Sequence, residues 1–196
     1  MMTERFQKQL NFFLEIDKVK NIFRMTSIAD GSRRENDAEH SWSLAIMAFL
    51  FAEYMEDDVD ILKVMKMVLI HDLVEIYAGD TFCFDVVGME DKEEREQASA
   101  DKIFGLLASD QGQELRTLWE EFEACETREA EYAAMLDRLQ PLIMNYVNEG
   151  GTWAQHNITV EQVYKRNQIT LEKGPQVFKD FIDYVVDECV TKGYIK

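Results

Sequence analysis

The sequence predicts an all-α fold in a single domain, and three observations predict it. Apolar residues recur at helical spacing along most of the chain, with no stretch of the alternation that marks a half-buried strand. Only two of the 196 residues are proline, Pro141 and Pro175, so little interrupts a helix. The stretch from Val59 to Ile76 is apolar on nearly every side, the pattern of a central, buried helix. No internal repeat or low-complexity linker divides the chain, and its 46% hydrophobic content supplies one sizeable core.

The elements follow in order. Phe6, Leu10, Phe13, Ile16 and Val19 are spaced for an amphipathic helix, or two, between about Thr3 and Arg24. The segment Asp30-Gly-Ser-Arg-Arg-Glu-Asn36 breaks that pattern as a polar loop. It holds Arg33 and Arg34, read here as surface charges, and Arg24 lies just before it. Asn36 and Glu39 have the spacing of a capping box, so a second helix starts there and runs to about Tyr54. The buried helix follows, from Asp57 and Asp58, whose carboxylates suit a helix N-terminus, to the terminator Gly79. Asp80 to Gly88 reads as a loop. A charged helix is expected from Met89 to about Ala108, with Glu90, Asp91, Glu93, Glu94 and Glu96 as a solvated face or acidic lid. Another runs from Gln113 to Cys125, and a long one from Arg128 to Asn148. Tyr132, Met135, Leu136, Leu139 and Leu142 fill the inner faces of the long helix, and Pro141 is expected to kink it. Gly150-Gly151 ends it, Trp153 to Ile158 reads as a loop, and two helices close the chain, about Val160 to Glu172 and Gln176 to Val190.

Composition narrows the function. The net charge is −17, from 21 basic and 38 acidic side chains, which disfavours a nucleic-acid backbone or an anionic membrane as partner. A phosphorylated small molecule would need a local basic pocket. Cys83, Cys125 and Cys189 are three widely spaced thiols, as in a reducing compartment. The longest uncharged run, Ser41 to Ala52, is well short of the roughly 20 apolar residues that span a bilayer. A cytoplasmic protein is expected, with no membrane and no nucleic-acid partner.

The chemistry concentrates in few residues. There are three histidines, His40, His71 and His156. His40 lies near the start of one helix and His71 late in the next, so an antiparallel pair brings them to one level. Asp72 adjoins His71, and Glu75 lies one α-helical turn beyond it on the same face. Asp137 interrupts the apolar stripe of a third helix. Ionisable groups buried among apolar side chains need a partner; a core His–Asp hydrogen bond is one, and a divalent metal ion is another. His156, in a Gly-Trp loop, is left outside the site.

The ordered set Asn36-Asp-Ala-Glu-His-Ser41, His71-Asp-Leu-Val-Glu75, Gly79-Asp80 and Asp137-Arg-Leu-Gln-Pro141 resembles the HD-domain superfamily of metal-dependent phosphohydrolases. More narrowly, it resembles the bacterial 5'-deoxynucleotidase group of small HD hydrolases. The resemblance implies an HD-domain helical bundle over 1–196, with a metal-binding core at about 36–148 and C-terminal helices at about 158–191 packed on it. It implies that His40, His71, Asp72 and Asp137 ligate the metal, that Glu75 is the catalytic acid that positions or activates water, that Arg24 holds the substrate phosphate, and that Asp80 lies near the sugar. Ligands without thiolate suit one divalent ion among Mn, Co, Fe, Zn and Mg. The expected substrate is a small phosphorylated one, a nucleoside or deoxynucleoside 5'-monophosphate, and a homodimer is expected. Two positions depart from the pattern. Met25 follows Arg24 where the nucleotidases carry a stacking aromatic residue, and Arg138 follows Asp137 where a small residue is usual. Ile76 after Glu75 removes the acid pair that marks hydrolases of guanosine polyphosphates. The competing readings are an HD-fold hydrolase of another phosphate ester, a binding protein for a metal or phosphometabolite without turnover, and a plain helical oligomerisation domain.

Overall fold

The computed structural model describes residues 2–55, 58–85 and 87–196. The chain is helical almost throughout, as its patterning predicts, and α2, α3 and α7 form its centre. Helix α1 (Glu4–Ile16) starts on the Thr3 hydroxyl, which accepts from the Phe6 backbone N–H, and passes into a 3₁₀ turn at Asp17–Asn21. The chain then extends. β1 (Phe23–Ser27) pairs antiparallel with β2 (Arg34–Asn36), Phe23 opposite Asn36 and Ser27 opposite Arg34. Arg24 is therefore on a strand, not at a helix end, and the expected polar loop is the hairpin tip and its return strand. Gly31 turns that tip at φ 69°, a left-handed conformation that suits glycine.

The capping box forms as its spacing predicts. The Asn36 side chain accepts from the Glu39 N–H at 3.0 Å, and the Glu39 carboxylate accepts from the Asn36 N–H at 3.2 Å. Helix α2 (Asp37–Leu50) gives way to a 3₁₀ turn at Ala52–Tyr54, earlier than the pattern suggested. Helix α3 (Ile61–Ile70) begins on Asp60, which accepts from the Lys63 N–H at 3.0 Å. Asp58 thus precedes the helix, and Asp57 lies outside the described residues. The expected continuous helix to Gly79 is broken: a 3₁₀ turn spans His71–Val74, and α4 (Glu75–Ala78) completes it.

Helix α5 (Lys92–Phe104) carries Glu90, Asp91, Glu93 and Glu94 at or near its start as exposed charges, but Glu96 is buried and takes a 2.8 Å hydrogen bond from Lys92. α6 (Ser109–Ala124) and α7 (Arg128–Val147) follow, α7 with Pro141 inside it. Gly151–His156 is a short helix, α8, where a loop was expected. The expected penultimate helix divides at Asn167 into α9 (Val160–Arg166) and α10 (Gln168–Lys173), and α11 (Gln176–Lys192) closes the chain.

Leu44, Ala48, Val64, Met67, Val68, Tyr132, Leu136 and Leu139 are wholly or almost wholly buried and join the three central helices in one core. Burying side chains of this size contributes about 1.5–3 kcal/mol each. A second cluster, Val74, Ala100, Ile103, Phe104 and Trp119, clamps the 3₁₀ turn between α5 and α6. Among the described residues no helix is long and apolar enough to cross a membrane.

Candidate metal centre

The 3₁₀ turn decides how the site is built. Three residues per turn place residues three apart on one side, so Asp72 and Glu75 face the same way, where an unbroken α-helix would have aligned His71 with Glu75. One carboxylate oxygen each from Asp72, Glu75 and Asp37 of α2 lie within 4.8 Å of one another. The Ser99 hydroxyl donates to the Val74 carbonyl and ties the turn to α5.

Both histidines present the same nitrogen to the site. His71 Nδ1 lies 2.9 Å from the Val68 carbonyl, which can only accept, so Nδ1 carries a proton and Nε2 is the nitrogen turned to the site. That Nε2 is buried without a hydrogen-bond partner, 3.1 Å from Asp72 Oδ1 and 3.7 Å from Asp137 Oδ1. His40 is fully buried; its Nδ1 meets Gln140 Oε1 at 3.1 Å, and its Nε2 lies 3.0 Å from Asp137 Oδ1. Gln140 Nε2 donates to Glu35 at 2.8 Å, which fixes the amide with its oxygen toward His40. Ligand atoms of His40, His71 and Asp72 fall within 4.8 Å of one another, and Asp137 Oδ1 adjoins both imidazoles. Two imidazole lone pairs and two carboxylates converging in a buried spot fit a divalent cation.

The field there is strong. Burial works against a charged His71, but the Asp72 and Asp137 carboxylates outweigh it and raise its pKa to about 9. Burial lowers that of His40, with Arg24 acting in the same sense. His40 at 3.0 Å, then His71 and Arg166, overcome burial at Asp137 and hold its carboxyl well below the usual range. Glu75 is pushed well above its ordinary value by burial and then by Asp72 and Asp37. Asp37, fully buried beside Glu75, is raised to about 8 by burial and Asp72.

Arg24 enters from β1. Its Nη1 lies 2.7 Å from Asp72 Oδ2 and 3.6 Å from Asp37 Oδ1, while its Nε is buried without a hydrogen-bond partner. Burial opposes its charge, but Asp72, Asp137, Glu75 and Asp37 together raise its pKa. A cleft with 220 Å³ of free volume opens above these groups, lined by Arg24, His71, Asp72, Glu75, Asp80 and Asp137 among others. Six of the seven sequence-predicted residues thus share one cleft, and His40 sits behind it against Asp137. Asp80 is half-buried in the loop after Gly79, its carboxyl raised by burial. Arg33 is exposed and forks onto Glu39 at 2.7 and 2.6 Å, a surface charge as read. His156 is exposed, its ring 4.9 Å from that of Phe82.

The sequence reading missed four contributors. Asp37 stands three residues before His40, and Gln140 three after Asp137, so helical spacing could have found both. Glu35 precedes α2 and meets the site through Gln140 and with its Oε2 3.8 Å from His40 Nδ1. Arg166 of α9, whose Nη2 lies 3.0 Å from Asp137 Oδ2, left no local signal.

The sequence profile described as HD domain matches residues 16–178. The chain is 30% identical over 146 residues to 5'-deoxynucleotidase HDDC2 of Dictyostelium discoideum, covering 71% of this chain and 77% of that one. It is 27% identical over 135 residues to 5'-deoxynucleotidase HDDC2 of Homo sapiens, covering 68% and 65%. A crystal structure of a predicted metal-dependent phosphohydrolase from Magnetospirillum magnetotacticum superposes with a TM-score of 0.91 at 48% identity, over 100% of this chain and 99% of that one. An HD-domain phosphohydrolase from Listeria innocua shares the fold at 17% identity, with a TM-score of 0.64 over 94% and 99%.

Proposed function

From the premise that this chain belongs to the HD-domain family, we propose that it is a phosphomonoesterase that removes phosphate from nucleoside or deoxynucleoside 5'-monophosphates. The single observation that carries this reading is the convergence of His40 Nε2, His71 Nε2, Asp72 and Asp137 beneath a cleft into which Glu75 and Arg24 also point. The names of the relatives supply the substrate class.

His40, His71, Asp72 and Asp137 would hold one divalent ion, Mn, Co, Fe, Zn or Mg. Such an ion polarises a phosphoryl oxygen and acidifies water. Glu75 orients the attacking water and takes a proton from it. The water oxygen bonds to phosphorus as the ester P–O bond breaks, and the proton that Glu75 took passes, directly or through solvent, to the 5' oxygen of the departing nucleoside. Arg24 offers its remaining N–H groups to the phosphate. Asp80, at the mouth, accepts from a sugar hydroxyl.

The test is phosphate release from a panel of nucleoside monophosphates with Mn, Co or Mg. Wild type should turn over only with metal, and Glu75→Ala should lose about 10²–10⁴-fold in rate while still binding metal. Tight metal binding with no phosphate released from any monophosphate would overturn the nucleotidase reading.

A further inference from the structure

Four cationic side chains, Arg24, Lys92, Arg138 and Arg166, line the cleft among its carboxylates. Three of them are answered: Arg24 by Asp72, Lys92 by Glu96 at 2.8 Å, and Arg166 by Asp137 Oδ2 at 3.0 Å. Arg138 is different. Its Nη1 is buried without a hydrogen-bond partner, and among the described residues no carboxylate oxygen comes within ion-pairing distance. Burial and the neighbouring Arg166 disfavour its charge and outweigh Asp137 and the Cys125 thiol, which favour it. A buried guanidinium N–H left unpaired next to a second guanidinium is costly, and an anion received between the two would relieve both penalties. The position is also telling. Arg138 follows Asp137 directly, and Arg166 holds that same aspartate, so an anion there shares the cleft with the reacting phosphate.

We propose that Arg138, together with Arg166, forms a second anion subsite in this cleft, so that the preferred substrate is a nucleotide bearing a second phosphate beside the one removed. The inference rests on the nucleotidase reading for the first phosphate. The second could be joined through the sugar, as in a 3',5'-bisphosphate, or directly to the first, as in a 5'-diphosphate.

The test measures affinity by calorimetry in a Glu75→Gln background, which stops turnover, with Mn present. The probes are deoxyadenosine 5'-monophosphate, 3',5'-bisphosphate and 5'-diphosphate. At least one doubly phosphorylated probe should bind ten times tighter than the monophosphate or better. Adding Arg138→Gln should bring that ratio to about one, and Arg138→Lys should restore part of it. The arm with the larger ratio identifies how the second phosphate is joined. A ratio near one in both arms without any change at Arg138 overturns the subsite, whether or not the variants fold. So does a ratio that survives Arg138→Gln. Phosphate release by the wild type is read separately: if no monophosphate is hydrolysed yet the Arg138-dependent ratio stands, the activity assignment falls and the subsite remains.

Discussion

Gln140 determines which nitrogen of His40 faces the site. Its amide oxygen takes the Nδ1 proton, and Glu35 holds the amide from the other side. Gln140→Leu should leave the helix intact but weaken Mn binding by about 10–100-fold, the usual cost of losing a partner that orients a metal-bound imidazole. Calorimetric titration checks it, and unchanged affinity would show that His40 needs no such support. Glu35 makes a second prediction. Burial raises its pKa from 4.5 to about 7. The folded state therefore binds more protons than the unfolded chain between those values, and stability falls as pH climbs through that window, then levels. In Glu35→Gln, without metal, this part of the slope should vanish, worth up to about 3 kcal/mol, as read from urea unfolding at pH 4.5 and 8. At this scale His40, His71, Asp72 and Asp137 were legible because ionisable residues are rare in apolar helices. Arg166 was not, because what recruits it is a contact across 29 residues of chain.

Long helices were legible and short elements were not. Helix α2 announces itself by its capping box, and α7 by its buried stripe and its length. Asn36→Ala removes the side-chain acceptor at the start of α2 and should cost about 1 kcal/mol, seen as a lower urea midpoint with an unchanged slope. The β1–β2 hairpin escaped notice because five residues opposite three, with one face partly exposed, give too little alternation to outweigh the helical pattern around them. The 3₁₀ turn escaped for another reason. Nothing local in His71-Asp-Leu-Val74 disfavours an α-helix; the turn is held by Trp119, Ile103 and Phe104 around Val74 and by the Ser99 hydroxyl, all distant in sequence. The identity of the candidate ligands could thus be read from the chain, whereas the alignment of Asp72 with Glu75 could not.

At the scale of the molecule, the candidate ligands come from α2, the 3₁₀ turn and α7, so a bound ion would tie the central helices together. Metal at a hundredfold excess over its dissociation constant stabilises by about 2.7 kcal/mol. Chelation of the loaded wild type should therefore lower the melting temperature by roughly 5–10 °C, and His40→Ala should abolish the difference. The hairpin that carries Arg24 is fastened from far along the chain. The Asn148 amide donates to the Ile28 carbonyl at 3.0 Å, and the Thr152 hydroxyl donates to the Met25 carbonyl at 2.9 Å, contacts that span 120 and 127 residues. Closing loops of that size is entropically unfavourable until the groups they join are already in place. His40, His71 and Asp72 can be gathered by neighbouring helices soon after these are synthesised. The arm that presents Arg24 has to wait for the end of α7 and the start of α8. The complete cleft therefore needs contacts made late in the chain, although three of the candidate ligands lie on elements that precede them by more than seventy residues.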